Sequence, residues 1–428
     1  RIKGGDEDME QFQNLKQQLQ ETVRQRMDMS SELSDAQIGE IIDSVIMEKS
    51  REVYMSAVTK LTLRQELFNA IRRLDLLQEL IDDKTVTEIM VNGADAIFYE
   101  RDGRIYTWDR HFESREKLED VIQQIVSRSN RQVNESIPIV DARLKDGSRV
   151  NVVLDPVALN GPILTIRKFP EEAITMEDLI RWESISQEAA EYLKVLVKAG
   201  YNIFISGATS TGKTTFLNVL ADYIPKTERV ITIEDSAELQ IHGIENLVRM
   251  EVRQADGDGV SNVTLRDLIR TSLRMRPDRI IVGEVRGEEA LDMIQSMNTG
   301  HDGSLSTGHA NSPQDMLSRL ETMALFASDI PIQAIRKQIA SSIDIIVQLE
   351  RLRDRSRRVT AIAEVLDCTE DAYILNPIFE FHEQDNLVME SSSYGDIPER
   401  VVGQLERTGY HLMHRRKLHA AALESAEI

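Results

Sequence analysis

NIFISGATSTGKTTFLNVLADYI, Asn202 to Ile224, is the stretch that decides the fold. Its first five residues form a short apolar run suited to a buried strand, and FLNVLADYI continues with helical spacing. Between them GATSTGKT, Gly207 to Thr214, fits the pattern G-x-x-x-x-G-K-[ST]. Strand, loop and helix in that order separate a phosphate-binding loop from a chance match. Backbone N–H groups of residues 208 to 214 can then surround a phosphate while the helix adds its positive dipole end. The candidate ATP-binding set is therefore Gly207, Ala208, Thr209, Ser210, Thr211, Gly212, Lys213, Thr214 and Thr215. Lys213 would reach the β- and γ-phosphates, and Thr214 would give its hydroxyl to Mg2+.

Such a loop needs an acidic partner on a neighbouring strand, and two follow it. RIIVGE ends in Glu284, where a carboxylate would stand beside Mg2+ or the attacking water; VITIED ends in Glu234 and Asp235. Thr214 and Glu284, the latter partly through water, are thus the expected Mg2+ residues. Strand-like runs NIFISG, RVITIED, LVRMEVR, DRIIVGE and GSLSTGHA alternate with helical stretches such as TLRDLIRTSLRMR and EEALDMIQSM. That alternation predicts an α/β domain with a mostly parallel sheet flanked by helices.

Working outward, 428 residues call for two or three domains. Residues 1–60, rich in Gln, Glu, Met and Lys, read as a solvated helical extension. Residues 61–170 read as a smaller α+β domain, with EIMVNG, AIFYER, RIYTW, SRVNVVLD and PILTIRKF as strands and Asp102-Gly103 as a hairpin turn. The segment beginning at Pro170 reads as a linker over 171–184, the α/β domain as 185–385, and 386–428 as a partly helical tail. The formal charge of −21 argues against nucleic acid as the partner of the whole chain, since neutralising phosphates needs a surplus of Lys and Arg. The densest basic run, RLRDRSRRV (351–359), reads as an exposed turn between the strands DIIVQL and VTAIAEVL. No run is apolar and long enough to cross a bilayer, the N-terminus has no signal-peptide core, and the lone Cys368 fits a reducing compartment. A cytoplasmic protein is expected.

ERVITIEDSAELQI, LRDLIRTSLRMRPDRIIVGEVRGEEALDMIQSMNTGHDGSLSTGHANS and LSRLETM resemble the type II/type IV secretion ATPase superfamily. Within it the chain is most similar to the CpaF or TadA-like branch that powers tight-adherence (Flp) pilus assembly. The resemblance extends over roughly residues 60 to 385, including LDLLQELIDDKTVTEIMVNGADAIFYERDGRIY and IVDARLKDGSRVNVVLDPVALNGPILTIRKF. It implies a RecA-like P-loop NTPase domain preceded by the smaller domain, a homohexameric ring, and ATP held between the two domains. It also implies work on an inner-membrane platform protein from the inner face of the cytoplasmic membrane. Carried over, Gly207 to Thr214 match the Walker A box, Glu284 the Walker B glutamate, Glu234 and Asp235 the Asp box, and His301 and His309 the His box. Arg143, Arg149 and Arg167 stand in segments whose arginines approach the γ-phosphate. One departure is visible: the family more often has Gly then Ser where this chain has Ser210 and Thr211, which restricts the backbone of the loop.

The two histidines of GHDGSLSTGHANS admit three roles. Zinc wants three or four ligands at favourable spacing, and no Cys or third His lies nearby. A general base is chemically suited, but Glu284 already takes the water-polarising position. Sensing is the expectation: His309, at a strand end, would report the γ-phosphate to the helix PQDMLSRLETM. Besides a pilus motor, two other functions share the P-loop: a RecA-like or conjugative ATPase acting on nucleic acid, and a small-molecule kinase. Stimulation by DNA would mark the former, phosphoryl transfer to an acceptor the latter.

Overall fold

The computed structural model describes residues 5–27, 33–101, 103–129, 131–169, 173–253, 261–384 and 401–423, which fall into two units, Arg1–Glu172 and Ala173–Ile428.

The first unit opens with α1 (Gly5–Arg26), α2 (Asp35–Lys49) and α3 (Ala57–Arg72). Ser34 closes a capping box with Gln37 at the start of α2, and Ser56 caps α3. Residues 1–60 are therefore not the solvated extension expected from composition. Leu19 and Val23, Ile38, Ile42, Val45 and Ile46, and Leu63 and Leu67 bury one stripe from each helix in a shared core. Gln17, Gln18, Glu21, Gln25 and Glu40, which dilute the periodicity, are exposed. There follow α4 (Leu77–Asp82), β1 (Val86–Asn92), β2 (Ile97–Arg101), β3 (Arg104–Thr107), α5 (Arg115–Arg128), β4 (Ile139–Arg143), β5 (Arg149–Val153) and β6 (Ile163–Arg167). The strands form one antiparallel sheet in the order β3-β2-β1-β6-β5-β4. One face of α5, Leu118, Val121, Ile122, Ile125 and Val126, clusters with Ile89, Val91, Leu164 and Ile166 of the sheet. The hairpin expected around Asp102-Gly103 joins β2 to β3 through the Arg101–Arg104 pair; Asp102 itself lies outside the described residues.

In the second unit α6 (Met176–Arg181) and α7 (Gln187–Lys198) precede β7 (Ile203–Gly207), α8 (Lys213–Ala221), β8 (Val230–Glu234), β9 (Leu247–Glu251), α9 (Leu265–Ser272), β10 (Arg279–Val282), α10 (Glu289–Asn298), β11 (Leu305–Gly308), α11 (Pro313–Ala327) and α12 (Ile332–Ser342). The chain then adds β12 (Ile345–Arg351), β13 (Arg357–Cys368), β14 (Tyr373–Glu383), β15 (Gly403–Arg407) and α13 (Arg416–Ala420). The nine strands form one sheet, β15-β14-β13-β12-β7-β11-β10-β8-β9, parallel from β12 to β9 and antiparallel from β12 to β15. Both faces of the parallel part are covered, so β7, β8, β10 and β11 are buried at every position.

Two expected boundaries shift. The segment 171–184 carries α6, whose Met176 and Leu179 are buried in the core of this unit; Pro170 and residues 171–172 lie outside the described residues. Of the expected tail, 386–400 and 424–428 lie outside the described residues, but 401–423 packs into the domain. β15 pairs with β14, Leu405, Leu412 and Leu418 are buried, and the Glu364 carboxylate accepts N–H bonds from Met413 and His414. Three apolar residues spaced by six and seven fit neither a helical nor a strand period, which is why the sequence alone left them in a tail.

Candidate nucleotide-binding site

Parallel strands bring their carboxyl ends to one edge. Ser206 of β7 stands opposite Gly308 of β11, and Val282 of β10 lies beside Ser306 of β11 and Ile233 of β8. The residues that follow, the Gly207–Thr214 loop, His309, Glu284 and Glu234, are gathered there.

Gly207 is required by space, since a Cβ there would stand 2.5 Å from the Leu349 carbonyl oxygen. Further on, Ser210 at φ 62° and Gly212 at φ 92° turn the chain into α8. Gly212 is the N-cap of that helix and offers no side-chain cap. The leading N–H groups of α8 thus have neither an intrahelical partner nor a capping side chain, an arrangement suited to an anion. Thr211 closes the turn by donating Oγ1–H to the Ala208 carbonyl at 2.9 Å. Thr214 and Thr215 are half-buried in the first turn of α8.

Lys213 is buried, and its Nζ donates to the carbonyls of Gly207 at 3.0 Å and Ala208 at 2.9 Å. Burial pulls its ammonium below the ordinary lysine value against the pull of Glu284, which favours the charge. Nζ also lies 3.3 Å from His309 Nδ1. Burial, then the Lys213 ammonium, lower the His309 imidazole below its ordinary value. A neutral ring accepts from Lys213 at Nδ1 and carries its proton on Nε2, which lies 2.6 Å from Glu284 Oε1. That contact is out of line for a hydrogen bond, so Oε1 is a buried acceptor left unfilled, while Oε2 accepts from Arg286 at 2.8 Å. Burial opposes the Glu284 charge, but Arg286, His309 and Lys213 outweigh it and hold the carboxyl below its usual value. An ionised oxygen without a hydrogen-bond donor fits a hard cation or its water ligand, and the Thr214 hydroxyl is an oxygen donor of the kind Mg2+ takes. Among the described residues no cluster of three or more His, Cys, Asp and Glu is placed to hold a metal by itself.

The Asp-box pair is split by the fold. Glu234 is buried and its Oε1 accepts from the backbone N–H of Glu238 at 2.7 Å and Leu239 at 2.8 Å, closing the loop after β8. Asp235 is exposed. His301 is not brought to this edge: it precedes β11, at the opposite end of the strand from His309, and its Nδ1 lies 3.2 Å from the Ser296 carbonyl at the end of α10. In the first unit Arg143, Arg149 and Arg167 form one registered row, Arg143 opposite Arg149 and Arg149 opposite Arg167, continued by Glu88 opposite Arg167. The row gathers three guanidinium groups on one face of the sheet, with the Glu88 carboxylate beside Arg167.

Two residues escape sequence reasoning. Arg286, two positions past Glu284 in GEVRGEE, fixes the carboxylate; Arg357, in the basic run 351–359, reaches the Ser210 carbonyl at 3.0 Å. Beside the loop opens a cleft of about 600 Å3 lined by Ala208, Thr209, His309, Asn311, Asp315 and Arg319.

A profile of the type II/IV secretion system protein family matches residues 71–389. The chain belongs to that family. Its fold is a P-loop on a mostly parallel sheet, preceded by a smaller N-terminal α+β unit. It is 39% identical over 254 residues to an uncharacterised protein of Methanocaldococcus jannaschii, a match covering 57% of this chain and 35% of that relative, so the chain spans about a third of its length. It is 31% identical over 294 residues to the conjugal transfer protein TrbB of Rhizobium radiobacter, covering 68% of this chain and 87% of TrbB. The solved pilus retraction motor PilT with bound ADP is similar over 71% of this chain and 81% of its own, with a TM-score of 0.50 and 20% identity, a likeness of fold.

Proposed function

We propose that this secretion ATPase is the subunit of a homohexameric ring whose ATP hydrolysis drives assembly, or retraction, of a type IV or Flp pilus or a related secretion system. The observation that carries the reading is the connected line from Lys213 through His309 to Glu284, which joins the phosphate loop to the chain leading into α11. Lys213 exchanges the carbonyls of its own loop for the β- and γ-phosphates. Glu284, ionised and with one oxygen unfilled, accepts the proton of the attacking water. Mg2+, held by the Thr214 hydroxyl and through water by Glu284, would neutralise charge on the phosphate oxygens. His309, neutral and in reach of both groups, registers the departure of Lys213 toward the γ-phosphate. Arg143, Arg149 and Arg167 supply further cations to the γ-phosphate in the assembled ring.

The ring works on an inner-membrane platform protein from the cytoplasmic face of the membrane. No helix among the described residues is long and apolar enough to cross a bilayer, which agrees with a peripheral position. Similarity to TrbB favours a second reading, an ATPase that acts on nucleic acid during conjugation. The charge of −21 weighs against it. Sedimentation with and without ATP, paired with hydrolysis assays with and without DNA, separates the two. The motor reading expects a six-subunit species and no stimulation by DNA; a monomer at all nucleotide concentrations, or turnover that rises with DNA, refutes it.

A further inference from the structure

The basic turn between β12 and β13 has a task at the phosphate loop. Leu349 of β12 is paired with Gly207, so this hairpin backs the loop from its first residue. Arg357 opens β13 opposite Arg351. Its Nε donates to the Ser210 carbonyl at 3.0 Å, and its Cδ would lie 3.5 Å from a Cβ placed on Gly212. Other arginines of the turn are engaged elsewhere, Arg353 with Glu383 and Arg358 with the carbonyls of Val401 and Gly403. Ser210 is the residue that needs help. It adopts φ 62° without being glycine, a conformation that crowds Cβ against the backbone.

We propose that Arg357 is a positioning residue of the phosphate loop, holding Ser210 in its left-handed conformation and thereby aiming the Thr211 N–H at the phosphates. In a trans peptide the carbonyl and the next N–H point in opposite directions. Fixing the Ser210 oxygen toward Arg357 therefore turns the Thr211 N–H away from Arg357, back into the loop. If Ser210 relaxed to negative φ, this peptide would rotate, and both the bond to Arg357 and the aim of that N–H would be lost. The guanidinium thus does for a serine what glycine does by lacking a Cβ, and the loop tolerates Ser210 because the hairpin carries Arg357.

The inference rests on the nucleotide-binding reading of the loop, so the test includes a variant that reports on that reading alone. ADP affinity and the midpoint of thermal unfolding are measured for the full chain and for Arg357→Ala, Ser210→Gly, their combination, Arg353→Ala and Lys213→Ala. Arg357→Ala weakens ADP binding about five-fold, which is about 1 kcal/mol at roughly 1.4 kcal/mol per tenfold and matches the left-handed penalty of an L residue. Ser210→Gly in the Arg357→Ala background restores affinity to within about two-fold, because glycine adopts positive φ without support. Arg353→Ala, altering the same hairpin away from the loop, leaves affinity unchanged, and no variant of Arg357 shifts the unfolding midpoint enough to account for its binding loss. An equal loss from Arg357→Ala with and without the Ser210→Gly change overturns the proposal, as does undiminished affinity in Arg357→Ala while Lys213→Ala binds poorly. Parental affinity in Lys213→Ala overturns the nucleotide-binding reading itself.

Discussion

Replacing Glu284 by Gln is the sharpest test of the proposed chemistry, because the two side chains share a shape and differ in charge. Oε1 of Glu284 is buried without a hydrogen bond, and Oε2 is held by Arg286. An amide can keep its oxygen on Arg286, but its NH2 then meets His309 Nε2, 2.6 Å from the oxygen it replaces, so the imidazole has to turn away or move its proton. The change removes the basic atom from the position where a water proton would be accepted. General-base catalysis contributes about 10²- to 10⁴-fold, so kcat should fall by about that factor, equivalent to about 3–5 kcal/mol of barrier. Ground-state binding should not fall with it. Glu284 is an anion facing an anionic substrate, and its removal relieves repulsion, so ATP affinity holds or tightens. Lys213 loses a carboxylate that favours its charge, which limits the gain. Stability changes little, since Arg286 is largely exposed and keeps the amide oxygen as its acceptor. Phosphate release under saturating ATP, beside equilibrium binding of a fluorescent ATP analogue, gives the two quantities separately. Turnover within about three-fold of the parent would refute the role of Glu284 as base and leave its carboxylate a partner of Arg286 only.

Lys213→Ala removes a cation and its charge-assisted bonds, each worth about 1.5–3 kcal/mol, so nucleotide affinity drops by about 10- to 100-fold in a titration. The His309 imidazole sits below its ordinary 6.5, pushed down by burial and then by Lys213 and opposed by Glu284, with Arg286 and Arg319 adding to the depression. The native protein therefore resists protonating it: the neutral arrangement persists above pH 6.5 and is lost as pH falls through the depressed native value. ADP affinity should decline on that acid side as imidazolium faces the Lys213 ammonium, and His309→Asn should remove the decline; an identical acid limb in the variant would count against it. Arg149→Ala and Arg167→Ala should lower hydrolysis by about 10³-fold with ADP affinity nearly unchanged, as losing an arginine finger does; full activity in both would exclude the row from the γ-phosphate.

What the sequence disclosed and what it hid divide along physical lines. GATSTGKT between NIFIS and FLNVL announces its own geometry, because the chemistry of a phosphate loop is local and backbone-based. The parallel strands were legible for a related reason, since burial on both faces makes each a short continuous apolar run. Arg357 was not legible as part of the site. It lies 147 residues from Ser210 in sequence, and only the β7–β12 pairing, a long-range choice of strand order, makes them neighbours. Arg143, Arg149 and Arg167 show the same limit from the other side. Each is readable in its segment, but their alignment in a single row depends on the registers of two strand pairs.

His301 and His309 carry the lesson furthest. In GHDGSLSTGHANS they look like a pair, eight residues apart among small side chains that suggest a loop. Yet the same stretch holds β11, Leu305–Gly308, and a four-residue strand advances about 13 Å at 3.3 Å per residue. A strand between two residues places them at opposite edges of a sheet. In a parallel sheet only the carboxyl edge carries the phosphate loop, so the histidine after the strand meets Lys213 and Glu284. The one before it meets the end of α10 instead. GSLSTGHA reads as a strand with His309 at its end, and at the centre of the sheet, flanked by β7 and β10, its small buried residues leave room for α8 against one face. Gly308 shows how tight the strand end is, because a Cβ there would stand 2.8 Å from Met316 of α11 and 2.9 Å from Phe204 of β7. The residue that lets α11 approach the strand end is thus the one immediately before His309. A change at the imidazole consequently has only a short, tightly packed path to the helix it is proposed to inform.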